Sequence, residues 1–185
     1  MALNPGDLRA RSEAGAWLGA FDVTLEPDDA GGWYSVDDLD ETVPIGSDGA
    51  GGTFVLLPSG QVLYVASEGR AGIIAASFEA FIQLVVACPY WLDILKFSGG
   101  GDIEQMRRAA QALEATLDAG HAIDAARMAL RAELDLPGAA DPVGALYAAV
   151  AASDVIVRAL DGCPFTTLFN RFTIDNSPML RNAAA

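Results

Sequence analysis

The chain of 185 residues has one histidine, His121, and two cysteines, Cys88 and Cys163, set far apart and without metal-ligand spacing. A single histidine cannot supply a histidine-based metal site. Any Ser/His/Asp or Cys/His nucleophilic system would have to depend on His121, which opens a helical stretch after Gly120 and is distant in sequence from both cysteines. It reads as a solvated or capping residue, and no catalytic residue, metal or cofactor is expected. The cysteines each follow a helical apolar pattern and read as reduced thiols near the core, with a disulfide or a reactive thiol as the alternative. No uninterrupted apolar run approaches the ~20 residues of a membrane span. Residues 1–7 hold neither the basic nor the apolar part of a secretory signal, so the expected location is cytoplasmic.

Positive charge is also scarce. Lys and Arg total 11 against 25 Asp and Glu, a formal net charge of −14. Residues 22–52 contain Asp22, Glu26, Asp28, Asp29, Asp37, Asp38, Asp40, Glu41 and Asp48 and no Lys or Arg. A chain this acidic repels phosphate backbones, so direct nucleic-acid binding is not expected. It would attract a basic protein, although an acidic surface also serves solubility alone.

What is present is apolar residues, 52% of the sequence with a large share of alanine. At this length roughly 70% of the unfolded chain's surface can be buried. Residues 7–19 carry a mild helical pattern anchored by Leu8, Trp17 and Leu18. Residues 22–24 suit a short strand, and 27–32 a turn. Ser35 with Asp38 caps a helix of about a turn that stops before Pro44. Gly46, Gly49, Gly51 and Gly52 form a turn into the sheet. The clearest local signal is a hairpin of 53–57 and 62–66, with Pro58-Ser59-Gly60 suiting a type I turn followed by a left-handed residue. Val55 and Leu57 fall on one face of its first strand and Phe54 and Leu56 on the other, so the sheet is expected to be covered on both sides.

Ser77 caps a helix with Phe78, Phe81, Ile82, Val85 and Val86 on one face, interrupted by Pro89 and resumed by Tyr90, Trp91, Ile94 and Leu95. After Gly99-Gly100-Gly101 the composition becomes alanine-rich. Asp102 with Gln105 opens a helix with Met106, Ala110, Leu113 and Leu117 on one face. A second helix spans 122–134. A third starts at Asp141-Pro142 and runs toward Leu160. Phe165, Leu168, Phe169 and Phe172 follow at helical spacing as a packing segment.

The glycine turn could cradle an anion with successive N–H groups, but it lacks the lysine and the following helix of a phosphate loop, so a structural turn is expected. Paired carboxylates such as Asp37 and Asp40 could in principle act as acid and base, yet carboxylates this numerous usually form a solvated face. Weak divalent-cation binding at 37–41 lacks the spacing of a calcium loop. Trp33 and Tyr34 beside these acids form an aromatic rim next to negative charge, the composition of a binding hot spot, with Trp33 as a core residue the competing reading.

Trp33-Tyr34-Ser35-Val36-Asp37-Asp38-Leu39, then Val43-Pro44-Ile45-Gly46-Ser47-Asp48-Gly49-Ala50-Gly51-Gly52, then the hairpin and Ser77-Phe78, together resemble the SUKH superfamily of Smi/Knr-type domains. The resemblance covers about the first half of the chain and implies an α+β fold, a mainly antiparallel sheet with packed helices over 1–98, followed by a C-terminal helical extension over 99–185. It implies a non-catalytic binding protein. The concrete expectation is an intracellular immunity protein neutralising a cognate basic toxin domain, possible nucleases included, with Trp33, Tyr34, Asp37, Asp38, Asp40, Glu41 and Asp48 as the partner-binding residues. A regulatory scaffold is the alternative within binding proteins, and a small acidic hydrolase the alternative outside them.

Overall fold

The computed structural model describes residues 3–25, 32–39, 42–116 and 120–183 and has an α+β fold. Two short helices, α1 (Pro5–Arg9) and α2 (Ser12–Leu18), lead into a single 3-10 turn, and β1 (Tyr34–Val36) follows. Next come β2 (Val43–Ser47), β3 (Thr53–Leu56), β4 (Val62–Ala66) and β5 (Arg70–Ala75). The helices α3 (Phe78–Ala87), α4 (Trp91–Lys96), α5 (Ile103–Thr116), α6 (Gly120–Leu134) and α7 (Pro142–Ala151) precede β6 (Val157–Ala159) and α8 (Pro178–Ala183). Strands β2 to β5 form one antiparallel sheet in chain order, and β1 pairs with β6 in a separate antiparallel ribbon. No described helix is long and apolar enough to cross a membrane.

The expected hairpin is β3 and β4, in register from Thr53 opposite Val65 to Leu56 opposite Val62. At its tip the Gly60 N–H donates to the Leu57 carbonyl at 2.8 Å, with Gly60 at φ +86°. That positive φ lets the strands reverse without a Cβ clash. Alternation along the strands serves two cores. Phe54, Val62, Tyr64, Ala66 and Ile74 join a large core with α3, α4, α5 and the helices beyond. Val55, Leu57, Leu63, Val65 and Ile73 face a smaller core closed by Val36 and Val157 from the β1–β6 ribbon. The large core runs in one piece from Leu8 to Leu180, so residues from both halves of the chain share it.

The caps follow the local signals. The Ser77 hydroxyl accepts the Ala80 N–H at 3.1 Å, and Asp141 accepts the Gly144 N–H at 2.9 Å with Pro142 in the first turn. The chain breaks between α3 and α4 at Pro89.

Elsewhere tertiary pairing overrides local pattern. The segment opened by Ser35 is strand β1 rather than a capped helix, because pairing with β6 satisfies its backbone and turns Val36 into the second core. The Asp37 N–H donates to the Ile156 carbonyl at 2.9 Å, continuing that pairing. Residues 43–47 are strand β2, not part of a glycine turn. The helix from Pro142 stops at Ala151 instead of reaching Leu160, and the Ser153 hydroxyl accepts the Ile73 N–H at 3.1 Å on the edge of β5. Residues 165–173 are not helical, and Ile174 opens only a short 3-10 turn: Phe165 packs on the second core, Leu168 enters the first, and Thr166 pairs with β5. Strand β5 itself had no counterpart in the expected elements. The strand anticipated at 22–24 is reduced to a bridge between Thr24 and Ser47, and the turn at 27–31 lies outside the described residues. Of the two free thiols, Cys88 is buried, with burial pushing it up to about 11, whereas Cys163 is exposed rather than near the core.

Candidate functional site

The glycine-rich stretch is a rigid corner whose donors are already used. The Asp48 Oδ1 accepts the N–H groups of Ala50 (2.9 Å) and Gly52 (2.7 Å), and Asp22 accepts that of Gly49 at 3.0 Å. The anion in this cradle is therefore the chain's own carboxylate. Tyr64 donates its hydroxyl to the other Asp48 oxygen, and burial, with this carboxylate beside it, holds the phenol far above its ordinary range. The glycines mark close approaches: a Cβ at Gly46 would lie 2.1 Å from the Thr24 carbonyl oxygen and one at Gly52 2.2 Å from the Tyr64 hydroxyl. Asp48 is buried, which removes it from the partner-binding residues and makes it the keystone of the turn.

The aromatic and acidic residues after 32 come together on the ribbon. Trp33 is half-buried, with its ring 4.9 Å from Tyr34 in an edge-on arrangement and 5.9 Å from Phe165, so it packs on the second core. Burial pushes Tyr34 up to about 12. Asp37 is an internal partner: both its oxygens accept from Arg158 Nε at 2.9 Å, and Nη2 lies 2.8 Å away. This hydrogen bond holds the Asp37 carboxyl below the usual carboxylate range, the opposite of what a general acid requires. Asp38 is exposed with φ +58°, a left-handed turn residue just past the end of β1. Asp40 and Glu41 lie outside the described residues. His121 lies in the first turn of α6.

Of these residues, Asp37 and Asp38 border a groove of about 280 Å³ between the end of β1, the β3–β4 turn and the segment leading into β6. Its apolar floor comes from Leu39, Leu57, Val155 and Ile156, and Ile156 remains 47% exposed. Asp38 and Asp154 both line the groove, and neither has an ion pair among the described residues. An aliphatic surface lined also by two free carboxylates is matched by a side chain with a methylene stem and a cationic head. Asp154, Ile156 and Arg158 were absent from the sequence-based set. The β-branched run Val155-Ile156-Val157 was their signal, hidden by reading the preceding helix through to Leu160. A second groove, of about 420 Å³ between α3, β5 and α7, is lined almost wholly by apolar residues, with Gln83 among them, and presents no charge.

No protein-family model, curated protein or solved structure matches the chain.

Proposed function

We propose that the chain is a non-catalytic, SUKH-type protein-binding domain and that it acts in the cytoplasm as an immunity protein neutralising a basic toxin domain. The observation that carries this reading is the groove with its apolar floor and the unpaired carboxylates of Asp38 and Asp154. A lysine or arginine of the partner lays its stem on Leu39 and Ile156 and places its charge between the two acids. The excess of negative charge over the whole chain attracts such a partner from a distance, and screening limits that reach to a Debye length of about 8 Å at physiological salt. Trp33, half-buried on the same ribbon, adds an aromatic contact outside the groove itself.

The test uses the toxin domain encoded beside this chain's gene, with stopped-flow association as the readout. Asp38→Lys combined with Asp154→Lys should slow association by about tenfold or more at low salt, and added salt should slow the wild type in the same way. An unchanged rate for the double variant would remove the groove as the docking site. A genomic neighbourhood without a toxin would remove the immunity role.

A further inference from the structure

At the opposite end of the sheet from the β3–β4 turn, a cavity of about 460 Å³ opens between α4, the β4–β5 turn and residues 168–170. Its size falls within the ~300–1,000 Å³ typical of small-molecule sites. Four charged side chains line it. Glu68 and Arg70 belong to the sheet wall, and Asp93 and Lys96 to α4. No two of them form an ion pair with each other among the described residues, even though Asp93 and Lys96 are three apart on one helix. Leu92, Leu95 and Leu168 add aliphatic groups to the lining, beside Tyr64 and Asn170.

The walls are held in place by bonds that leave the Glu68, Arg70 and Asp93 groups usable, and the Lys96 ammonium, 5.5 Å from the Phe97 ring centroid, is held by a cation–π contact weak enough to exchange for a carboxylate. Arg70 donates one N–H to the Phe169 carbonyl at 3.2 Å, which orients the guanidinium and leaves its other donors available. The buried Ser98 donates to the Asn170 carbonyl at 3.0 Å and accepts the Asn170 N–H at 3.1 Å, and Gly100 donates to the same carbonyl at 2.7 Å. The C-terminal wall is thereby fastened to the end of α4. A pure anion entering here would meet Glu68 and Asp93, and a pure cation would meet Arg70 and Lys96. A ligand carrying both charges satisfies all four.

We propose that this cavity binds a small zwitterion with an aliphatic body, a free α-amino acid of the leucine kind, its carboxylate held by Arg70 and Lys96 and its ammonium by Glu68 and Asp93. The site shares no residue with the Asp38–Asp154 groove and stands independently of the protein-binding reading.

Lys96 is the only lysine in the chain, so isotope-labelled lysine gives a single backbone amide signal beside the cavity. The full-length protein is titrated with L-leucine, L-leucinamide and isocaproate to about 20 mM, a range that detects millimolar binding. L-Leucine should shift the signal saturably, and the amide and the acid, each lacking one charge, should bind about tenfold more weakly. Glu68→Gln, at an exposed position that leaves the fold intact, and Arg70→Gln should each weaken leucine binding by a similar factor, while Asp38→Asn should leave it unchanged. Absence of a saturable shift with leucine would overturn the proposal, as would leucinamide or isocaproate binding as tightly as leucine.

Discussion

The two faces of the β2–β5 sheet are covered by different means. One carries Phe54, Tyr64 and Ile74 against helices that begin at Phe78, a few residues after the sheet ends. The other carries Val55, Leu63 and Ile73 against a ribbon whose strands, β1 and β6, pair Val36 with Val157 across most of the chain. Loop-closure entropy grows with the separation of the contacting segments, so the ribbon has more to offset and fewer apolar groups with which to offset it. The helix-covered face therefore anchors the fold, and the ribbon-covered face is the part able to open locally. The groove proposed for partner binding lies on that second face, where side chains can adapt to what they meet.

The comparison is broken most strongly at Phe54. This fully buried ring lies 4.8 Å from Phe81, 5.3 Å from Tyr64 and 6.2 Å from Trp91. Phe54→Ala should cost about 3–5 kcal/mol and lower the urea midpoint of the whole molecule, followed by circular dichroism. A cost no larger than that of a ribbon substitution would end the distinction between the faces.

A smaller and more local effect is expected at Val157. Val157→Ala removes two buried carbons, a loss of roughly 1.5 kcal/mol at the usual value per methylene. The Asp37 N–H, bonded to Ile156, and the Phe165 N–H, bonded to Val157, should then exchange faster with solvent, while amides of β4 stay protected. Equal acceleration in β4 would mean that ribbon and sheet unfold as one unit.

The smallest effect sharpens the electrostatic side. Arg158 depresses the folded-state carboxyl of Asp37, so the ion pair contributes above the ordinary aspartate value of ~3.9 and is lost as pH falls through the lower folded value. Acidification from about pH 5 to about pH 2 should loosen the ribbon in the wild type, and Asp37→Asn should remove that share of the pH dependence. Both groups are substantially exposed, so the change is modest. Parallel pH profiles of exchange at the Phe165 amide in wild type and variant would show that the pair does not hold the ribbon.

Short-range signals were the legible ones. The turn at 58–60, the Ser77 and Asp141 caps and the break at Pro89 each depend on residues within a few positions, and each appears where the local pattern places it. Strands β1 and β6 were hidden because three-residue segments carry too little periodicity, and Ser35-x-x-Asp38 offered a helical cap that pairing with β6 overruled. At the candidate site, Asp37 and Asp38 were recognisable as acids near aromatic residues. Their different conditions were not: Arg158 neutralises the one, while the other lines, with Asp154, a groove built from both halves of the chain. Asp48 looked like one more surface acid, and only the approach of Tyr64 and two backbone N–H groups reveals why it is buried.

By itself, the sequence determined the net charge, the two-sided apolar hairpin, the helix starts and the α+β class, because alternation, caps and composition act over one turn or one strand. Only the tertiary structure decided which acids are free, where the second core closes, and that Glu68, Arg70, Asp93 and Lys96 line one cavity. Those outcomes depend on contacts between residues far apart along the chain, and the spacing of residues carries no information about such distances until the chain has folded.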